Sequence, residues 1–125
     1  VLVDYEQFRE VIKSLVEKSL DADKATNITI IDLSEHSPLA DYMIIAAGTS
    51  SRHGGALAQK LREKLELNGV SNIRLEGMTT SDWVVLDAGD VIVHLFRPEV
   101  RSFYNIEKMW GPYAGLNVVG QQVTA

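Results

Sequence analysis

The sequence predicts a single α/β domain, with a mixed sheet of about five strands and helices packed on it. Three observations carry that prediction. Apolar residues recur at spacings of three and four along residues 4–20 and again along 51–67, the period of a helix that buries one stripe. Short runs rich in β-branched and aromatic residues are separated by turn-forming Gly, Asn, Asp and Pro, as strands and their connections are. A chain of 125 residues is normally one domain with one core.

Taken in order, residues 4–20 open with Asp4 as a cap and Gln7 three positions on, a capping-box-like pair. Tyr5, Phe8, Val11, Ile12, Leu15, Val16 and Leu20 form the apolar stripe, while Glu6, Arg9, Glu10, Lys13 and Glu17 cover the opposite side. Such a stripe needs a sheet to bury it. Residues 26–33 (TNITIIDL) and 42–47 (YMIIAA) read as strands whose nearly continuous apolar character suits burial on both faces. The connection between them contains Pro38 and reads as loop. The next helix starts at Ser50 or Ser51, ends near Leu67 and is closed by Asn68-Gly69. Leu57, Leu61 and Leu65 set its buried edge, and Ala58 permits close approach.

Residues 73–75 make a short third strand. Residues 83–86 (WVVL) and 91–96 (VIVHLF) make a hairpin around Asp87-Ala88-Gly89-Asp90, where Gly89 is free to take positive φ. A last helix opens at Pro98, whose missing N–H costs nothing in a first turn, and turns Val100, Phe103, Ile106 and Trp110 toward the core. The element order is α-β-β-α-β-β-β-α. The domain is expected to span residues 1–112. Residues 113–125 carry no charged side chain and little periodicity, so an extended or mobile tail is expected there.

Composition narrows the function classes. Hydrophobic content of 46% and charged content of 23% are those of an ordinary globular domain. A net charge of −5 and a pI of about 5.1 disfavour a polybasic grip on nucleic acid. The absence of Cys removes disulfides, thiolate zinc sites and thiol catalysis. No apolar run approaches the roughly 20 residues a spanning helix needs, and no basic-then-apolar leader opens the chain, so a cytoplasmic protein is expected.

Several chemistry-bearing patterns were weighed. Gly48-Thr49-Ser50 lies between a strand and a helix, where backbone N–H groups can hold an anion. A nucleotidyl or phosphoryl transferase could use such a turn, but that chemistry needs carboxylates that hold two Mg²⁺ ions. Asp-x-Asp on a strand would point both to one face, and no predicted strand carries it. The dinucleotide fingerprint and the P-loop are both missing. His36, His53 and His94 fall in three different elements without ligand spacing, so neither a metal nor a cofactor is expected. The residues therefore favour an interaction domain over an enzyme.

The interaction surface is expected around the hairpin and the last helix. Arg101, Tyr104 and Lys108 fall on a second helix face at spacings of three and four, and Tyr and Arg carry disproportionate energy at interfaces. Trp83 opens a strand, where one edge of the indole can stay exposed. From His94 to Trp110 three cations (Arg97, Arg101, Lys108) face two anions (Glu99, Glu107), a locally cationic stretch on an acidic protein. That suits a protein partner, or a protein beside RNA.

The ordered fragments W-V-x-L-D-x-G-D, V-x-V-H-x-F and R-x-F-Y-x-x-E-x-x-W, with Asp32-Leu33-Ser34, Ala40-Asp41-Tyr42 and Gly48-Thr49-Ser50 upstream, resemble the RsfS/Iojap family of ribosomal silencing factors. The resemblance covers roughly residues 4–112. It implies a nucleotidyltransferase-like fold without the catalytic carboxylates. It implies binding to the large ribosomal subunit through that subunit's protein fourteen, with a neighbouring contact to ribosomal RNA, a block on subunit joining that represses translation, and a homodimer when free. The positions that match the family's motifs and are expected to contact the partner are Trp83, Asp87, His94, Arg101, Tyr104 and Glu107, with Lys108 beside them and Trp110 closing the pattern.

Overall fold

The computed structural model describes residues 5–33 and 40–97, and the backbone of residues 118–119. Helix α1 (Tyr5–Ala22) is followed by β1 (Thr26–Asp32), β2 (Tyr42–Ala47), α2 (Ser51–Leu67), β3 (Arg74–Glu76), β4 (Trp83–Asp87), β5 (Val91–Phe96) and β6 (Val118–Val119). The predicted elements up to β5 are all present, most within a residue or two of their expected ends. The predicted helix over residues 98–110, the loop over 34–39 and the Asp4 cap lie outside the described residues.

The strands form one mixed sheet in the order β3-β4-β5-β2-β1-β6. Only β2 and β5 run parallel; every other neighbouring pair is antiparallel. Residues 118–119 add a short sixth strand against Ile30 and Ile31, so the expected five strands become six and part of the expected tail is extended on the sheet edge. The parallel pair lies centrally, and all six residues of β2 are buried, as a strand covered on both faces should be.

Alternation along each strand sorts the core into two clusters. On one face Ile28, Ile30, Ile44, Ala46, Val84, Leu86, Val93 and Leu95 meet Ile12, Val16 and Leu20 of α1 and Leu57, Ala58, Leu61 and Leu65 of α2. On the other face Ile31, Met43, Ile45 and Phe96 join Leu33, with Trp83 half-buried against them. Neither helix contributes to this second cluster.

Along α1 the expected stripe is shifted. Val11 is 56% exposed, whereas Ser19 is buried and its hydroxyl has no hydrogen-bond partner among the described residues. At about 100° per residue, Ser19 falls roughly 20° from Ile12, between Leu15 and Val16, whereas Val11 falls roughly 100° from Ile12. The apolar pattern located the face but not its centre.

Both helices end in the same hydrogen-bonded motif. In α2 the Gly69 N–H reaches the Glu66 carbonyl and the Val70 N–H reaches Leu65, with Gly69 at φ +89°. In α1 the Lys24 N–H reaches Asp21 and the Ala25 N–H reaches Leu20, but the left-handed position is taken by Lys24, at φ +69°. The glycine end is the unstrained one.

Candidate functional site

The site is built on the β4–β5 hairpin, on the sheet face opposite α1 and α2. The Ala88 N–H bonds the Val91 carbonyl, so Gly89-Asp90 form a two-residue loop with Gly89 at φ +88°. That short loop sets the register: Trp83 opposite Phe96, Val85 opposite His94, Asp87 opposite Ile92. Because strand side chains alternate, these six share one face, with Arg74 and Glu76 of β3 beside Asp87 and Val85.

Three rings group there. Trp83 and Phe96 have centroids 5.0 Å apart and tilted, and His94 stacks near-parallel to Phe96 at 6.1 Å. The Trp83 indole N–H donates to His94 Nδ1 at 3.0 Å. His94 is largely withdrawn from water, and burial pushes its pKa down to about 4, so the ring is neutral at physiological pH. Phe96 is buried, while Trp83, Val85, Asp87, Ile92 and His94 keep partial exposure.

Of the residues expected from the sequence, Trp83 and His94 are thus brought into direct contact. Asp87 shares their face but not their cluster: its Oδ1 accepts the Gly89 N–H at 2.9 Å and closes the turn. Arg101, Tyr104, Glu107 and Lys108, together with the core-facing residues of that predicted helix, lie outside the described residues. Sequence reasoning missed Phe96 as the third ring. The signal was available, since residues 94 and 96 share a face of any strand and a two-residue loop sets 83 against 96.

The second candidate, the turn after β2, ties several of its polar groups into internal hydrogen bonds. Ser50 caps α2 by accepting the His53 N–H at 3.1 Å. The Thr49 N–H donates to His53 Nδ1 at 2.9 Å, and His53 Nε2 in turn reaches the Asp23 carbonyl at 2.9 Å. The Gly48 N–H donates to the Phe96 carbonyl. The Asp82 carboxylate already occupies the negative position at the helix start: its Oδ1 accepts the Ser51 hydroxyl at 2.8 Å and lies 3.0 Å from Arg97 Nε. A phosphate arriving here would meet a carboxylate. Among the described residues no group of three or more His, Asp or Glu side chains is placed to hold a metal ion, and no helix is long and apolar enough to cross a membrane.

Comparison with known proteins gives a consistent result. A family model described as "Ribosomal silencing factor during starvation" matches residues 5–123, running past the boundary expected near residue 112. The chain is 53% identical over 102 residues to the ribosomal silencing factor RsfS of Zymomonas mobilis, covering 82% of this chain and 77% of that one. It is 32% identical over 94 residues to a mouse protein named mitochondrial assembly of ribosomal large subunit protein 1, covering 73% of this chain and 41% of the mouse protein. A crystal structure of a Chromobacterium violaceum protein superposes with a TM-score of 0.79 at 37% identity, covering 92% of this chain and 89% of that one.

Proposed function

This chain belongs to the ribosomal silencing factor family, and from that premise we propose that it represses translation by binding the large ribosomal subunit and blocking its union with the small one. The observation that carries this reading is the family match along nearly the whole chain, residues 5–123. The name of the mouse relative, which concerns large-subunit assembly, supports the choice of subunit.

The contact surface in this reading is the face of the β4–β5 hairpin turned away from α1 and α2. Trp83 and His94 present a half-buried aromatic pair there, the kind of anchor that dominates protein interfaces. Arg101, Tyr104, Glu107 and Lys108 extend it on the sequence pattern, and Asp87 shapes its end by closing the turn. The docking protein is the large subunit's protein fourteen, with ribosomal RNA as a neighbour. The free protein is a cytoplasmic homodimer. No catalysis is assigned: the scaffold is nucleotidyltransferase-like without a carboxylate pair for metal on one face of any described strand, and the turn that would face a triphosphate is hydrogen-bonded to Asp82 and His53.

Sedimentation through a sucrose gradient tests the core of this. The protein travels with purified large subunits and not with small ones, and adding it to a mixture of both lowers the yield of joined ribosomes. Equal partitioning between subunits would sink the proposal. Tyr104→Ala and Arg101→Glu weaken the comigration without lowering the melting temperature if the last helix presents them to the partner.

A further inference from the structure

Trp83 and His94 stand diagonally across the hairpin, with ring centroids 6.0 Å apart. An indole nitrogen can only donate, and this one is 3.0 Å from His94 Nδ1. Nδ1 must therefore accept. Burial keeps the imidazole neutral at physiological pH, and a neutral imidazole carries one ring N–H, which is thereby forced onto Nε2. Among the described residues nothing hydrogen-bonds to that Nε2.

We propose that His94, locked by Trp83 as its Nε2–H tautomer, is a positioned donor that reads a neutral carbonyl oxygen on a protein partner. The inference rests on the partner-binding reading of this face. A free imidazole exchanges between two tautomers and so offers a donor at either nitrogen only part of the time. The indole removes that ambiguity before binding, so the partner's acceptor meets a donor already in place. The acceptor's chemistry follows from what surrounds the ring. Glu76 and Asp87 put two carboxylates on the same sheet face, against Arg74 alone among the described strand residues. A phosphate or carboxylate would approach against that pair, whereas an uncharged amide carbonyl would not.

The test combines imidazole-nitrogen NMR on the free protein with large-subunit binding by wild type, His94→Phe and His94→Gln. The expected spectrum shows His94 Nδ1 as a bare nitrogen and Nε2 as N–H. His94→Phe, which keeps the ring and loses the donor, binds about tenfold more weakly, the worth of one well-placed neutral hydrogen bond. His94→Gln, whose amide N–H reaches close to the Nε2 position, recovers most of that loss. An Nδ1–H tautomer, or wild-type affinity in folded His94→Phe, would overturn the inference and leave subunit binding standing; failure of the wild type to bind overturns both. Should His94→Phe not fold, Trp83→Phe decides: without the indole N–H, His94 must relax to a tautomer mixture and binding must fall, and an unchanged tautomer would overturn the assignment. Competition by protein-free ribosomal RNA as effective as the subunit itself overturns the carbonyl in favour of a nucleic-acid acceptor.

Discussion

The two faces of this sheet are made from the same strands and alternate residues, yet they are built differently. The helix-covered face is almost wholly aliphatic, with Ile, Leu, Val and Ala interlocking between sheet and helices. The opposite face carries aliphatic residues at its centre on β1 and β2 but turns aromatic and polar toward β4 and β3, where Trp83, His94, Asp87, Arg74 and Glu76 lie. A face that only has to be buried is best filled with side chains that have no polar atoms to satisfy. In the proposed function the second face is the one a partner recognises, which calls for directed groups kept partly exposed at a cost in stability. The contrast separates stability from binding, and substitutions on the two sides test that separation.

The largest effect on stability belongs to the helix-covered face. Leu61→Ala removes a fully buried side chain between α2 and the sheet and costs about 3 kcal/mol, read as a lower urea midpoint at unchanged slope. Subunit binding by the fraction that remains folded is unaltered. Loss of binding without loss of stability would dissolve the distinction between the faces.

Acid tests the other face. The unfolded His94 ring takes a proton at its ordinary 6.5, but the folded ring only at about 4. Its contribution is therefore complete above pH 6.5 and is lost as the pH falls from 6.5 to 4, about 3 kcal/mol in all. Carboxylates titrate at the lower end of that window, so the quantity to measure is the difference between wild type and His94→Phe. That difference shrinks with acid, and parallel stability curves would show that His94 is not desolvated.

Trp83→Ala sharpens the functional side. An aromatic anchor at an interface is worth about 2 kcal/mol or more, roughly thirtyfold in affinity. Because Trp83 is only half-buried, its loss lowers the melting temperature less than Leu61→Ala does. The reverse order, with stability falling further than binding, would make Trp83 a core residue.

The smallest expected change is a gain. Ser19 is the polar intruder on the aliphatic face, buried in the last turn of α1 with its hydroxyl unpaired among the described residues. Ser19→Ala removes that hydroxyl and improves helix propensity, adding about 1 kcal/mol to the unfolding free energy. A loss of similar size would mean the hydroxyl has an unseen partner.

The sequence was legible wherever a local rule operates. Periodicities of 2 and 3.6, the Asn68-Gly69 stop and the Gly89 loop each placed an element within a residue or two, because each depends on residues adjacent in the chain. The Trp83 and His94 positions were also readable, through the family resemblance of the hairpin. What was not legible depends on angle and distance between elements. Val11, expected on the stripe, is exposed and Ser19 is buried because the contact arc on α1 is set by how the helix lies on the sheet. The placement of Asp82 beside the Gly48 turn was not legible for a similar reason: thirty-one residues from Ser51, it arrives at the start of α2 only through the sheet.

The sequence by itself therefore determined the fold class, the strands and helices over residues 5–97, the family and the two ends of the hairpin that carries the candidate site. Only the tertiary structure decided that Trp83 donates to His94, that Phe96 completes the ring cluster, and that α1 and α2 pack on the same face of the sheet. The physical reason is that local conformation follows from short-range sterics and hydrogen bonding, while a tautomer, a pKa or a free face follows from which distant groups the packed sheet brings within a few ångströms.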